Sequence, residues 1–432
     1  MEILLHVGRG LLGIVVFIAI AVAFSENRRA IRWPLVGAGL LLQLIFAALV
    51  LYVPPVRWVI EAIGGFFIKL LGFTGEGTKF VFGSLLDVET HGVIFALAIL
   101  PSVVFFSALT SMLYYLGILQ RVVHAFAWVM SKTMKLSGAE SLSTAGNIFV
   151  GQTEAPLLIK PYLPTMTRSE ILAVMVGGMA TIAGGVMIAY ISFLGGNDPQ
   201  QQIFFATHFI TASVISAPAA LLISKILAPQ TESVDTEIVV ARDRIGANLL
   251  DAICLGTTDG LKLAVNIAGM LIVFTALVAM FNYMLASWIG DPLGLNDWVA
   301  RVTDGTFQTF SLEFILGVIC APFAWLIGIE PGNLLVSGQL LGIRTVLNEF
   351  VSYLQLGEMK AAGAFTDQRS LVILTYALSG FSNIVSIGIQ VGGISAIAPS
   401  QRTNLATLGV KALLGGTLAC FLTACVAGML IG

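Results

Sequence analysis

Two carboxylates in this chain stand where carboxylates are costly. Glu154, in GNIFVGQTEAPLLIKPYLP, and Glu349, in RTVLNEFVSY, are embedded in largely apolar stretches. Taking an acid out of water is unfavourable unless it is paired, hydrogen-bonded or locally solvated. Each acid has polar company: Gln152 and Thr153 beside Glu154, and Asn348 beside Glu349. Further on, Asn383 and Ser386 are three residues apart in GFSNIVSI and so share one helix face. Acids, amides and hydroxyls together suit a neutral, hydroxyl-rich ligand. Carboxylates accept from sugar hydroxyls, and amides pair with the edge of a base. No cation-rich pocket is visible, which argues against an anionic ligand. Lys262 is the exception, and snorkelling or local pairing accounts for it. The competing reading for both acids is a plain hydrogen bond between helices.

Composition says where these residues must sit. Of 432 residues, 57% are hydrophobic and only 11% are charged, against about 25% charged in a soluble domain. Mean hydropathy is +0.94. An ordinary soluble enzyme, a nucleic-acid binder and a disordered chain are excluded, and a net charge of −2 attracts no polyanion. The apolar runs are long and unbroken, unlike the alternating segments of a transmembrane barrel. The expected class is therefore an all-α polytopic membrane protein. Cys254, Cys320, Cys420 and Cys425 lack CxxC spacing, and His6, His91, His124 and His208 are scattered, so no cofactor or metal knuckle is expected. The run Leu11 to Phe24 is followed by SENRRAIRW, with no small-residue cleavage site, and reads as a retained helix.

Eight runs are long enough to span a bilayer: 7–25, 34–54, 93–119, 169–194, 203–227, 246–288, 369–394 and 404–431. Stretch 56–72 carries Arg57, Glu61 and Lys69 among bulky apolar residues and reads as an interfacial helix; 120–137 reads similarly. Segments 139–164 and 311–356 are too broken by Gly, Pro and polar residues for single helices. Each is expected to be a re-entrant hairpin of two half-helices, since irregular backbone at membrane depth must be buried or line a wet cavity. Lys and Arg are concentrated at 25–33, 120–168, 225–245 and 395–403, including Arg242 and Arg244, whereas Arg301 stands alone across 195–202 and 289–310. That bias places both termini outside. The two hairpins then open from opposite sides, and hairpin, broken helix, helix at 139–227 recurs inverted at 311–431. Coincidental use of Gly and Ser for helix packing is the alternative. The predicted organisation is a scaffold at 1–138, a first transport repeat at 139–229, a long scaffold helix at 245–290 and a second repeat at 311–432.

NIFVGQTEAPL, GGMATIAGG, GLKLA, RTVLNEFVSY and GFSNIVSI occur in this order over almost the whole chain. In that order they resemble the concentrative nucleoside transporters. The resemblance implies a sodium-coupled nucleoside symporter of the cytoplasmic membrane, with eight transmembrane helices and two re-entrant hairpins, assembled as a homotrimer in the lipid bilayer. It implies that Gln152, Thr153 and Glu154 recognise the nucleobase with Val186 against it. It implies that Leu263 forms an apolar wall, that Glu349, Asn383 and Ser386 hold the ribose, and that Phe381 lines the same pocket. It also implies a sodium site made by the side chains of Asn147 and Thr181 and the carbonyls of Val150 and Ile182. Many family members have Ser where this chain has Thr181, a mild departure because both offer a hydroxyl. Packing is the competing reading for Val186, Leu263 and Phe381, and helix capping for Asn147 and Thr181. Proton coupling through Glu154 or Glu349 is the rival within transport. A channel is less suited to two occluding hairpins, and no nucleophile–base pair or phosphate loop supports an enzyme.

Overall fold

The computed structural model describes residues 2–91, 94–234 and 246–431, and the regular elements within them are all helical. The predicted basic residues Arg242 and Arg244 and the start of the run at 93 lie outside the described residues. Helices α1 (Glu2–Ala23), α2 (Trp33–Tyr52) and α3 (Pro54–Phe82) are followed by α4 (Leu100–Tyr115) and α5 (Ile118–Met134). Next come α6 (Gly138–Gly146), α7 (Arg168–Met179), α8 (Gly184–Gly195), α9 (Pro199–Leu227), α10 (Leu249–Tyr283) and α11 (Leu295–Val302). The last third holds α12 (Leu312–Ile327), α13 (Leu334–Val346), α14 (Glu349–Ala361), α15 (Gln368–Ala377), α16 (Ile384–Ile397) and α17 (Arg402–Leu430).

Starts are set by side chains that cap orphan backbone N–H groups. Ser137 with Glu140, and Thr167 with Glu170, form reciprocal capping boxes at α6 and α7. Asn348 caps α14 and Asn383 caps α16. Among the described residues, seven helices are long and apolar enough to cross a membrane, counting α7 and α8 as one broken span. The predicted run 369–394 is divided into α15 and α16, each too short by itself.

Helix α9 is the buried axis, packed by α2, α3, α7, α8 and α17. Helix α10 leans on α4 and is otherwise exposed, as a lipid-facing helix would be. The chain breaks between α7 and α8 and again between α15 and α16, and the two breaks cross. The Phe381 amide donates to the Thr181 carbonyl at 3.3 Å, and the Ser382 hydroxyl donates to the Met179 carbonyl at 2.7 Å. The Cys420 thiol reaches the Ala180 and Ser379 carbonyls, one from each break, at 3.7 and 3.5 Å. Only glycine permits this approach: a Cβ on Gly380 would lie 2.6 Å from both the Met179 carbonyl oxygen and the Cys420 sulfur.

Three ties hold the periphery. Buried Lys225, near the end of α9, pairs with buried Glu140 of α6 at 2.5 Å and donates to Ser169 at 3.0 Å. Arg9 of α1 donates to the carbonyls of Trp325 and Ile329 at the end of α12. Glu26, in the turn after α1, pairs with Arg168 at 3.0 Å and Lys411 at 2.8 Å. Burial pushes the Glu26 carboxyl up, but the hydrogen bonds from Arg168 and Lys411 outweigh it and hold the group below the usual carboxylate range.

Four expectations need correction. The interfacial helix predicted at 56–72 continues through FTGEGTKF to Phe82, because Thr74 and Thr78 bond back to the carbonyls of Leu70 and Thr74 rather than ending the helix. Segment 311–356 is not two half-helices but three helices, α12, α13 and the start of α14, with its sharp turn at Leu347–Asn348. Only one limb of 139–164 is an α-helix. The other is made of 3-10 turns at Ala155–Ile159 and Leu163–Thr165, as expected where Pro156, Pro161 and Pro164 remove backbone donors. Charges other than Glu349 are also buried, namely Glu140, Glu170, Lys225 and Arg344. Lys262, by contrast, is exposed and pairs locally with Asp259 at 3.5 Å.

Crossed backbones make Gly380 a sensitive position. Gly380→Ala is expected to destabilise the protein by about 1–3 kcal/mol through overpacking, read as a lowered melting temperature in detergent. An unchanged melting curve would mean the two breaks do not press together.

Candidate functional site

All nine expected ligand-contact residues line one cavity of about 140 Å3: Gln152, Thr153, Glu154, Val186, Leu263, Glu349, Phe381, Asn383, Ser386. They come from the tip after α6, the start of α8, the largely exposed α10, the start of α14 and the second helix break. Ile267 and Met270 of α10 add apolar wall.

The polar side is a connected network. Asn383 caps α16, its Oδ1 accepting from the Ser386 amide at 2.8 Å. That fixes its Nδ2 to donate to Glu349 Oε2 at 3.0 Å. Tyr190 donates to Glu349 Oε1 at 3.0 Å. Glu349 is thus a buried carboxylate with a donor on each oxygen, which is how such a charge is made tolerable. On the other side, Gln152 Nε2 donates to the Ser386 hydroxyl at 3.1 Å. Its Oε1 accepts from Gln390 at 3.0 Å, and Gln390 also donates to the Met175 carbonyl at 3.0 Å. Gln152 and Asn383, from opposite ends of the chain, are therefore coupled through Ser386.

Glu154 differs from Glu349. It is exposed, and it lies where this cavity meets a second one, also about 140 Å3, lined by Ser107, Thr110, Ser111, Tyr114 and Asp259. Its carboxylate sits over Gly151, where a Cβ would collide with it.

The four expected ion ligands gather where the α6 tip meets the first break. Asn147 is buried; its Nδ2 donates to the Ser143 carbonyl at 3.1 Å, and its Oδ1 has no hydrogen-bond partner. The hydroxyl oxygens of Ser143 and Thr144 are equally without partners. Thr181 donates to the Gly177 carbonyl at 3.0 Å, leaving its oxygen lone pairs free to ligate. Val150 and Ile182 are buried alongside, and the Gly184 amide joins the Phe149 carbonyl at 3.2 Å, tying tip to break. Buried oxygens without donors, and no cluster of three His, Cys, Asp or Glu among the described residues, fit a hard monovalent cation such as sodium.

Comparison with known proteins settles the family. A profile described as "Na+ dependent nucleoside transporter C-terminus" matches residues 208–428, its N-terminal counterpart matches 12–85, and one described as "Nucleoside recognition" matches 96–197. The chain belongs to the sodium-dependent nucleoside transporter family. Members of this family are transporters, not enzymes. The chain is 41% identical to an uncharacterized transporter of Haemophilus influenzae, covering 98% of this chain and 97% of that one. It is 40% identical to solute carrier family 28 member 3 of Eptatretus stoutii over 97% of this chain, and 39% identical to sodium/nucleoside cotransporter 1 of Mus musculus over 97%. It spans only 60% and 63% of those two vertebrate proteins. The solved structure of CNTnw in an inward-facing substrate-bound state is 35% identical, with a TM-score of 0.88 and full coverage of both chains. A CNTnw variant in an outward-facing state aligns with a TM-score of 0.86 over 98% of this chain and 97% of that one, at 35% identity.

Sequence reasoning missed two members of this network. Gln390 lies four residues after Ser386 and seven after Asn383, so helix periodicity places it on their face. Tyr190 lies four after Val186, and the same signal was available.

The Glu349 network generates a stability prediction. Asn383→Ala leaves Glu349 Oε2 without its donor and is expected to cost about 1–3 kcal/mol. Asn383→Asp sets a second carboxylate against the first and is expected to cost more at neutral pH than at pH 5. Melting temperatures of the two variants at both pH values check this.

Proposed function

We propose that this chain is a sodium-coupled nucleoside symporter that imports nucleosides by alternating access. The observation that carries the reading is that one tip, residues 147–154, serves two places at once. Its first residue, Asn147, offers an unpartnered buried oxygen beside the first helix break. Its last three, Gln152, Thr153 and Glu154, face the cavity. An ion that draws Asn147 and Thr181 together would set the far end of the tip for a ligand. In this reading the base meets Gln152, Thr153, Glu154 and Val186, and the sugar meets Glu349, Asn383 and Ser386. Leu263 and Phe381 close the apolar sides.

In the same reading, residues 139–229 and 311–432 form two inverted repeats, with re-entrant hairpins at α6 and at α13–α14. These repeats move against a scaffold of 1–138 and 245–290 within a homotrimer. The broken span α15–α16 supplies the eighth crossing, both termini face outward, and the membrane is the cytoplasmic one. That one similar protein, CNTnw, has been solved inward-facing and, as variants, outward-facing and in intermediate states supports alternating access. A neutral nucleoside moving with one sodium carries one charge, for which the potential supplies about 2.3 kcal/mol per 100 mV, or roughly 50-fold accumulation.

The rival within transport is proton coupling through Glu154 or Glu349, both of which line the cavity. The deciding experiment is radiolabelled uridine uptake into proteoliposomes under sodium, proton and choline gradients. Uptake that follows protons and ignores sodium would sink the sodium assignment and make Glu154 or Glu349 the coupling candidate.

Two substitution pairs extend the test. Glu349→Gln and Glu154→Gln are each expected to weaken uridine binding by about 1.5–3 kcal/mol, roughly 10- to 100-fold. Asn147→Ala and Thr181→Val are expected to raise the sodium concentration for half-maximal uptake about tenfold, near 1.4 kcal/mol. They should lower nucleoside affinity as well, because coupling is reciprocal. Sodium titrations that superimpose on wild type would refute the ion ligands.

A further inference from the structure

Arg344 is the largest fully buried side chain among the described residues, and no carboxylate lies within ion-pair distance of it there. It sits in the last turn of α13. One terminal nitrogen donates to the Ala377 carbonyl at 2.6 Å and the other to the Thr417 hydroxyl at 3.2 Å. The guanidinium also lies over the Phe421 ring, 5.5 Å from its centroid. A guanidinium stays charged in proteins, so a full positive charge is held here outside any direct ion pair, with the Glu349 carboxylate attracting it only at longer range.

What compensates it is the end of a helix. Ala377 is the last residue of α15, immediately before the second break. The last carbonyls of a helix have no partner within it and carry the negative end of its dipole. In α15 all four are met: Leu374 by the Leu378 amide, Thr375 by the Tyr353 hydroxyl at 2.7 Å, Tyr376 by the Ser379 amide, and Ala377 by Arg344. The first break is built the other way. There the α6 terminus brings Asn147 with a bare carbonyl oxygen, flanked by the bare hydroxyls of Ser143 and Thr144. One break has oxygens and no basic side chain; the other has a basic side chain already on its carbonyl.

We infer that Arg344 is a positioning residue that acts as a built-in cation, locking α13 to the second helix break in the place corresponding to the one a sodium ion takes between α6 and the first break. The inference rests on the proposed sodium site and paired repeats. Its consequence is asymmetric gating: the α6 tip closes only when an ion arrives, whereas the α13 side is closed permanently by a tethered charge. Glu349 follows Arg344 by five residues, past the turn at Leu347–Asn348. Arg344 therefore fixes the end of the element that delivers the acid to the cavity.

The test uses the full-length protein in proteoliposomes, with labelled uridine as the probe. Wild type should show a sodium Hill coefficient near one. Arg344→Lys, which keeps the charge, should retain most uptake. Arg344→Met, of similar reach but neutral, should lose about tenfold or more, the scale of an unpartnered buried carbonyl. Arg344→Ala should be inactive and recover at least several-fold in millimolar guanidinium, but not in urea, its neutral isostere. Guanidinium should leave the wild-type sodium titration unchanged. Equal uptake by the Lys and Met variants overturns the inference. So does an Arg344→Ala protein that runs as a single assembled species and ignores guanidinium. If Arg344→Ala does not assemble, the Lys and Met pair decides. Wild-type uptake that is indifferent to sodium would instead defeat the sodium reading, while the Lys–Met comparison would still judge the charge.

Discussion

The crossing of two interrupted helices is the constraint on which the rest of the architecture depends. Breaking a helix inside an apolar slab frees N–H and C=O groups that lipid cannot satisfy. Here the two breaks satisfy each other, Phe381 to Thr181 and Ser382 to Met179, with Cys420 touching both. The contact requires Gly380, and it puts the capped start of α16 next to the tip that follows α6. Residues separated by more than two hundred positions, Gln152 and Ser386, become hydrogen-bond partners as a result. The cavity is the space this crossing leaves under α10, polar where the breaks face it and apolar where α10 does.

Most of this site was legible because polar residues in an apolar stretch are so costly that few survive without use. Glu154, Glu349, Asn383 and Ser386 stand out by type alone, and motif resemblance supplied Val186, Leu263 and Phe381, which composition does not distinguish from packing. What was not legible follows the same logic in reverse. Arg344 hides in LLVSGQLLGIRTV because a lone basic residue near a helix end reads as a snorkelling surface group; only its burial shows otherwise. Glu140 and Lys225, 85 positions apart in sequence, give no sign of pairing until the fold brings them together.

Boundaries failed where local signals were read as absolute. The sequence reading ends the interfacial helix at 72, before the two glycines of FTGEGTKF, but threonine hydroxyls bonding back one turn carry α3 through them. Segment 311–356 carries one conspicuous breaker, IEPGN, and a silent one at Leu347–Asn348. The silent one matters more, because Asn348 begins α14 by capping it, and so decides that Glu349 opens a helix instead of lying within one.

The pair of Lys225 and Glu140 has a mechanical side. Removing one partner of a buried ion pair strands the other charge, at a cost of about 3–5 kcal/mol, so the N-terminal base of α6 is pinned to α9 as firmly as any part of the interior. The opposite end of that helix carries Asn147, Ser143 and Thr144 with unmet polar atoms and runs into Gly151 and three prolines. Helix α6 is therefore anchored by charge at one end and by packing alone at the other, so the polar atoms left unmet inside the protein are gathered at the end that leads to Glu154.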